Sequence, residues 1–131
     1  MDELPIQSGD DVVRVRQFVR NAAADNGLSL VDQTKLVTAA SELARNTLVH
    51  GGGGTARLEV VKSANGRVGV KLYFTDEGPG IPDIEQALTD GWSTGTGLGL
   101  GLSGSRRLVD EFELTSKPGA GTSVTVVKWS R

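Results

Sequence analysis

The chain has no cysteine and a single histidine, His50. Disulfides, iron–sulfur clusters, thiol nucleophiles and ordinary Cys/His zinc sites are excluded with them, as is any Ser-His triad not built on His50. Aromatic residues are scarce at 5%, and no apolar run approaches the roughly eighteen residues that a membrane-spanning helix needs. Positive charge is not in excess either: 14 Lys and Arg against 16 Asp and Glu leave a formal charge of −2. The basic footprint of a nucleic-acid or anionic-membrane binder is missing, so neither is an expected partner. The acidic start MDELPIQSGDD lacks the basic-then-apolar layout of a signal peptide, which makes the cytoplasm the expected location.

Glycine is what the chain has in plenty, at 18 of 131 residues, roughly twice the usual share. Ten of the 18 lie in two clusters, Gly51 to Gly54 and Gly91 to Gly104, which points to local turning or local function rather than to a linker. No internal repeat, charge block or Pro/Ser-rich stretch interrupts the chain, so residues 1–131 are expected to form one domain around one core.

Apolar positions Val12, Val15, Val19 and Ala22 recur every three or four residues and stop at Gly27, predicting a helix from about residue 10 to 25. Ser29 followed by Asp32 is a helix-start signature, and Leu36, Ala40, Leu43 and Thr47 continue as a stripe that ends at the four glycines. A second helix is expected over about 30 to 50. TARLEVVK and RVGVKLYFTD alternate in strand fashion around Asn65-Gly66, a tight-turn pair, and predict an antiparallel hairpin. Pro79 and Pro82 break the chain, PDIEQALTD suits a short helix, and a third main helix is expected to begin near Gly101. FELTSK, the turn PGAG and TSVTVVKW close the chain as a second hairpin. Paired helices followed by paired strands predict an α+β two-layer sandwich, with helices on one face of a mixed, mostly antiparallel sheet.

Four segments carry chemistry. In SELARNTLVH, Glu42, Asn46 and His50 are four apart and share one helical stripe, with Arg45 on the adjoining side. A carboxylate beside a carboxamide suits a hydrated magnesium ion on phosphates, Asn giving a neutral oxygen and Glu orienting or deprotonating a hydroxyl. A solvated helix face would have the same spacing. In DEGPGIPD, Asp76 offers an acceptor for the exocyclic amine of adenine, while Gly78 and Gly80 let a flat ring approach the backbone; the segment is equally a good turn. GWSTGTGLGLGLSGS alternates Gly with Leu from Gly95 to Leu102 before a helix, so its backbone N–H groups can cradle anions. A mobile lid over Gly91 to Gly101, ordered by nucleotide, is expected from so many glycines. PGAGTSVTV sets Thr122 at the start of a strand, which any hairpin would do. Gly99, Gly101 and Gly104 match GxGxxG, but no strand directly precedes them and no acid follows at the dinucleotide-fold distance. P-loop, HRD and DFG elements are absent too, so the phosphate-binding solution is a different one.

Taken in order, SELARN, DEGPGIPDI, DGWSTGTGLGLGL and GAGTSV resemble the N, G1, G2 and G3 boxes of the GHKL ATPase superfamily, whose ATP site is the Bergerat fold. The resemblance covers nearly the whole chain and so implies the stand-alone class, without transducer domains or a phosphoacceptor helix. RRLVDEF and KWSR sharpen the likeness towards small anti-sigma-factor-type serine/threonine kinases, most of all stressosome switch kinases of the RsbT type. This implies ATP and Mg²⁺ as cofactors, Glu42 as the base on a substrate hydroxyl, and Asn46 as the Mg²⁺ ligand. It implies Asp76 at the adenine amine, assisted by Thr122 through a water, with Gly78, Gly80 and Ile81 shaping that pocket. It places the phosphates on Thr94, Gly95, Thr96, Gly97, Leu98, Gly99, Leu100 and Gly101, with Arg45 and His50 as further phosphate contacts; His50 reads equally as a helix-end residue. The implied substrate is a STAS-domain antagonist or scaffold, and the implied second partner a PP2C-type phosphatase in a stress-response sigma-factor pathway. The alternatives are a kinase that sequesters a sigma factor directly and a non-catalytic nucleotide-sensing module. One departure is the run of four glycines after His50, longer than the resemblance leads one to expect and bearing on how that edge of the site is ordered.

Overall fold

The structure, a computed structural model, describes residues 2–80, 98–116 and 118–130. Strand β1 (Asp2–Ile6) leads into helix α1 (Gly9–Asp25), helix α2 (Leu30–Val49), strands β2 (Gly54–Lys62) and β3 (Val68–Asp76), helix α3 (Leu98–Leu108), and strands β4 (Glu111–Ser116) and β5 (Thr122–Trp129). The expected short helix over PDIEQALTD lies outside the described residues.

Both long helices start where the sequence offers a cap. Ser8 Oγ accepts from the Asp11 amide and Ser29 Oγ from the Asp32 amide, satisfying first-turn N–H groups that have no partner within the helix. Helix α1 ends against Asn26 and Gly27, whose φ of 82° is a conformation that side-chain-bearing residues avoid. Val15, Val19 and Ala23 of α1 and Leu36, Ala40, Leu43 and Ala44 of α2 form the buried stripes.

The five strands form one sheet in the order β1-β2-β3-β5-β4, and every described pairing is antiparallel. The β2–β3 turn is a three-residue loop, Ala64-Asn65-Gly66, closed by the Ser63 amide on Arg67 O at 2.8 Å, with Gly66 at φ 85°. One face of the sheet presents Ile6, Ala56, Leu58, Val70, Leu72, Phe74, Val124 and Val126 to the helices in a single hydrophobic core. Phe74, Leu36 and Leu43 are among its fully buried members, each contributing about 1.5–3 kcal/mol by leaving water. The opposite face is polar. There the Tyr73 ring has the Arg57 and Lys71 cations 5.2 Å from its centroid, and its hydroxyl donates to Glu59. The architecture is thus the expected two-layer α+β sandwich.

Two details differ from the sequence expectation. Strand β1 was not foreseen; it holds an outer edge of the sheet, where Pro5 is tolerated because an edge strand has one row of backbone groups without a ladder partner. Helix α3 starts at Leu98 rather than near Gly101, so Leu98, Gly99, Leu100 and Gly101 form its first turn. Its packing along α2, with Leu102 in the core, outweighs the cost of helical glycines.

At the end of the sheet formed by the start of β4 and the C-terminus of β5, Lys128 is almost fully buried. Its Nζ stands 3.2 Å from Asp110 and 3.5 Å from Asp32 at the start of α2. Asp110 also accepts from the Trp129 amide at 2.7 Å, and the Trp129 indole donates to Glu111 while its ring covers Gly69 across the sheet. This cluster joins α2, the α3–β4 connection and β5, and so fixes the helical layer on the sheet that carries the site.

Candidate functional site

The last turn of α2 and the ends of β3 and β5 meet around a concavity of about 590 Å³, counting the part open to solvent. Among the described residues its walls are Leu43, Phe74, Leu102 and Val124 on the apolar side and Asn46, Thr47, His50, Asp76 and Thr122 on the polar side, with Gly51, Pro79 and Gly80 at its rim. A flat apolar slot with a few convergent polar groups is the usual form of a small-molecule site.

Asp76 is the last residue of β3, paired across the sheet with Gly54 on one side and Thr122 on the other. Its Oδ1 accepts from the Gly78 amide at 2.9 Å. Burial raises the carboxyl above its ordinary pKa, while the amides of Gly78 and Thr122 and the charge of His50 pull the other way. A half-buried carboxylate on the wall of an apolar slot is suited to accept from a ligand amine.

Three glycines from separate segments close on this residue. A Cβ on Gly51 would stand 2.5 Å from Asp76 Cβ and 2.6 Å from its Oδ2, one on Gly78 would stand 2.7 Å from Gly51 Cα, and one on Gly121 would collide with the Asp76 carbonyl. The glycine run after His50 is therefore packed in place: the Gly51 amide bonds Asn46 O and the Gly53 amide bonds Thr47 O, extending the end of α2 towards β2. Gly52 and Gly53, at φ 73° and 106°, make the turn. On the far side, the Gly119 amide donates to Pro79 O at 2.7 Å, tying the β4–β5 turn to the Gly78–Gly80 loop.

Asn46 projects into the pocket from α2, and its amide nitrogen is buried with no hydrogen-bond partner among the described residues. An unpaired buried amide costs about 1–3 kcal/mol, and rotating it by half a turn presents the oxygen instead, so a ligand or a ligand-bound ion would satisfy it. Among the described residues no three acidic or histidine side chains gather as a metal cage. A magnesium ion would fit only as a partner of phosphates and water with one amide oxygen from the chain, which is how that ion is commonly held.

Asn46, His50, Asp76, Gly80 and Thr122 thus share one pocket, and Gly78 is bonded to Asp76. Arg45 and Glu42 are exposed and do not line it; Glu42 lies one helical turn before Asn46 and faces a separate groove between α1 and α2. The phosphate positions Leu98, Gly99, Leu100 and Gly101 fall in the first turn of α3, whose leading amides have no intrahelical partner. Ile81, Thr94, Gly95, Thr96 and Gly97 lie outside the described residues, as does most of the glycine-rich segment expected to form a lid. The approach of Gly51 to Asp76 was missed from sequence; its one signal was the unusual length of the glycine run.

Residues 31–130 match the profile of the histidine kinase-, DNA gyrase B-, and HSP90-like ATPases. The chain belongs to this family. It is 47% identical over 121 residues to the serine/threonine-protein kinase RsbT of Bacillus subtilis, covering 92% of this chain and 90% of that one. It is 33% identical over 101 residues to an anti-sigma F factor of Halalkalibacterium halodurans, covering 74% and 69% of the two chains. Among solved structures, that of the RsbU and RsbW domains of a Mycobacterium tuberculosis protein superposes on 100% of this chain with a TM-score of 0.62 at 22% identity, and the chain spans 33% of that protein. The structural match supports the same fold. Among the described residues of this family member, no helix is long and apolar enough to cross a membrane.

Proposed function

We propose that this chain, an ATP-dependent serine/threonine protein kinase, phosphorylates a STAS-domain antagonist or scaffold protein in the cytoplasm and acts as a partner switch upstream of a stress-response sigma factor, also binding a PP2C-type phosphatase. The observation that carries the reading is the convergence of Asn46 and Asp76, from α2 and β3, on one apolar slot in a chain 47% identical to a serine/threonine-protein kinase.

In this reading adenine enters between Phe74, Leu102 and Val124 with its amine on Asp76, Thr122 assisting, and Gly78 and Gly80 letting the ring approach. The amides at the start of α3 meet phosphate oxygens, as helix N-termini do for anions. Asn46 would hold Mg²⁺, which when bound supplies charge neutralisation on the phosphates. The substrate hydroxyl oxygen forms a bond to the γ-phosphorus and the bond to the β–γ bridging oxygen breaks. ADP leaves with that electron pair, and the hydroxyl proton passes to Glu42. That Glu42 is exposed one turn from Asn46, outside the nucleotide pocket, supports a role towards a protein substrate.

The test is transfer of γ-labelled phosphate from Mg-ATP to proteins in lysate of the source cell, comparing the wild type with Glu42→Ala and typing the labelled amino acid. Phosphoserine or phosphothreonine on a small protein, lost in the variant, supports the reading; nucleotide binding without any label overturns it. The kinship with an anti-sigma F factor favours one second reading, direct sequestration of a sigma factor. Pull-down of purified sigma subunit against a STAS-domain protein separates the two.

A further inference from the structure

The groove that Glu42 faces has polar walls of its own. It spans about 450 Å³ between α1 and α2, counting the part open to solvent, lined by Arg16 and Arg20 from α1 and by Thr34, Thr38, Ser41 and Glu42 from α2. Arg16 and Arg20 are four apart on one face of α1, both exposed and without an ion-pair partner among the described residues. Their neighbour Arg14, by contrast, is engaged with Asp11 at 2.8 Å. Two unneutralised guanidinium groups beside three hydroxyls form a site for carboxylate, because a guanidinium offers paired donors and the hydroxyls fill remaining acceptor positions.

We infer that this groove is the docking surface for the protein substrate, and that it takes an acidic surface segment of the STAS-domain partner lying beside the serine or threonine to be phosphorylated. The inference rests on the proposed role of Glu42, which ends the same groove. Thr34, Thr38 and Glu42 follow one another at one-turn intervals, so a carboxylate held by the arginines lies within about 12 Å of the hydroxyl at Glu42. In an extended segment that is about two to four residues. Charge complementarity decides the occupant: a basic or purely apolar segment would leave both arginines desolvated and unpaired, which is strongly unfavourable at an interface. The groove shares no lining residue with the pocket that holds Asn46 and Asp76, and the two approach each other at Glu42, one helical turn before Asn46.

The probe is a recombinant STAS-domain protein of the source cell, with Arg16→Glu/Arg20→Glu compared with the wild type. Both positions are exposed, so the fold should persist; circular dichroism and calorimetric ADP affinity are expected to be unchanged. The expected result is a KM for the STAS protein at least tenfold higher with kcat within about twofold, and a matching loss of calorimetric affinity. Exchanging the acidic residues near the labelled hydroxyl for lysine should restore the KM of the double variant. Unchanged KM and affinity in that variant, with wild-type transfer intact, overturn the groove alone. If the wild type neither binds nor phosphorylates the STAS protein, the functional reading falls and the groove's occupant with it. Binding without transfer, weakened by the double variant, keeps the docking surface and removes the kinase step.

Discussion

Gly51 and Asp76, 25 residues apart in the chain, are packed so closely that a methyl group on Gly51 would stand 2.6 Å from Asp76 Oδ2. No rotation of Gly51 is needed to reach this contact; it follows from the Gly51 amide bonding Asn46 O at the end of α2 while β2 pairs Gly54 with Asp76. The helix carrying Asn46 and the strand carrying Asp76 are therefore held at a spacing that admits no side chain between them.

Gly51→Ala is accordingly expected to displace the Asp76 carboxyl, lower stability by about 1–3 kcal/mol through overpacking, and weaken ATP binding. The added methyl collides with Asp76 Cβ as well as with the carboxyl, so Asp76→Gly in the same chain, which removes both, should recover most of the lost stability without recovering nucleotide binding. Denaturant midpoints and calorimetric ADP titration of the two single variants and the double variant check this. Additive losses of stability would show that the methyl acts elsewhere.

Asp76 also sets a pH dependence. Its folded-state pKa is raised, chiefly by burial, so the carboxyl holds its proton to higher pH in the folded protein than in the unfolded chain. Stability from this group is greatest below the unfolded value of about 3.9 and declines as pH rises through the higher folded value. In the proposed adenine contact the carboxylate is the acceptor, so nucleotide affinity should run the opposite way: full above the folded pKa and lost as pH falls through it. Carboxyl ¹³C titration of Asp76 should give a pKa above about 3.9 in the free protein and a lower one with ADP bound. The same value with and without ADP would remove Asp76 from the adenine contact.

Much of this arrangement is legible in the sequence, for identifiable reasons. The α1 and α2 stripes and their Ser caps are local signals, and Asn65-Gly66 fixes its turn locally too. Asn46, His50, Asp76 and Thr122 could be named as one group from their motifs, and the structure brings them to one pocket. What escaped depends on partners remote in sequence. Strand β1 exists through pairing with β2, helix α3 gains its first turn by packing on α2, and the fit of Gly51 to Asp76 comes from crossing the end of a helix with the end of a strand.

Lys128 bridges the buried carboxylate of Asp32 and the more exposed one of Asp110, with the side chains of Lys128 and Asp32 only 4% and 6% exposed. Replacing it by Ala takes the ammonium away from the buried Asp32 carboxylate in a region of low dielectric. A loss of about 3–5 kcal/mol is expected, as for other broken buried pairs. Lys128→Met in an Asp32→Leu background should be far less damaging, because it removes both members of the buried pair, while the more exposed Asp110 still accepts from the Trp129 amide. Urea denaturation of the three proteins checks the ordering, which would fail if the cluster were solvated.

Glu42→Ala tests the division of labour between the two sides of α2. Glu42 is exposed and outside the nucleotide pocket, so its removal should leave ADP affinity and thermal stability close to wild type. Phosphoryl transfer should fall by about 10²- to 10⁴-fold, the usual contribution of a general base, with KM for the protein substrate little changed. This pattern is the reverse of that expected for Arg16→Glu/Arg20→Glu, where KM rises and kcat holds. Single-turnover transfer from preloaded ATP separates the two: at saturating protein substrate the Glu42→Ala rate should stay low, while that of Arg16→Glu/Arg20→Glu should approach wild type. Near-normal turnover in Glu42→Ala would instead place the proton acceptor on the substrate or on phosphate, and leave Glu42 as one wall of the docking groove.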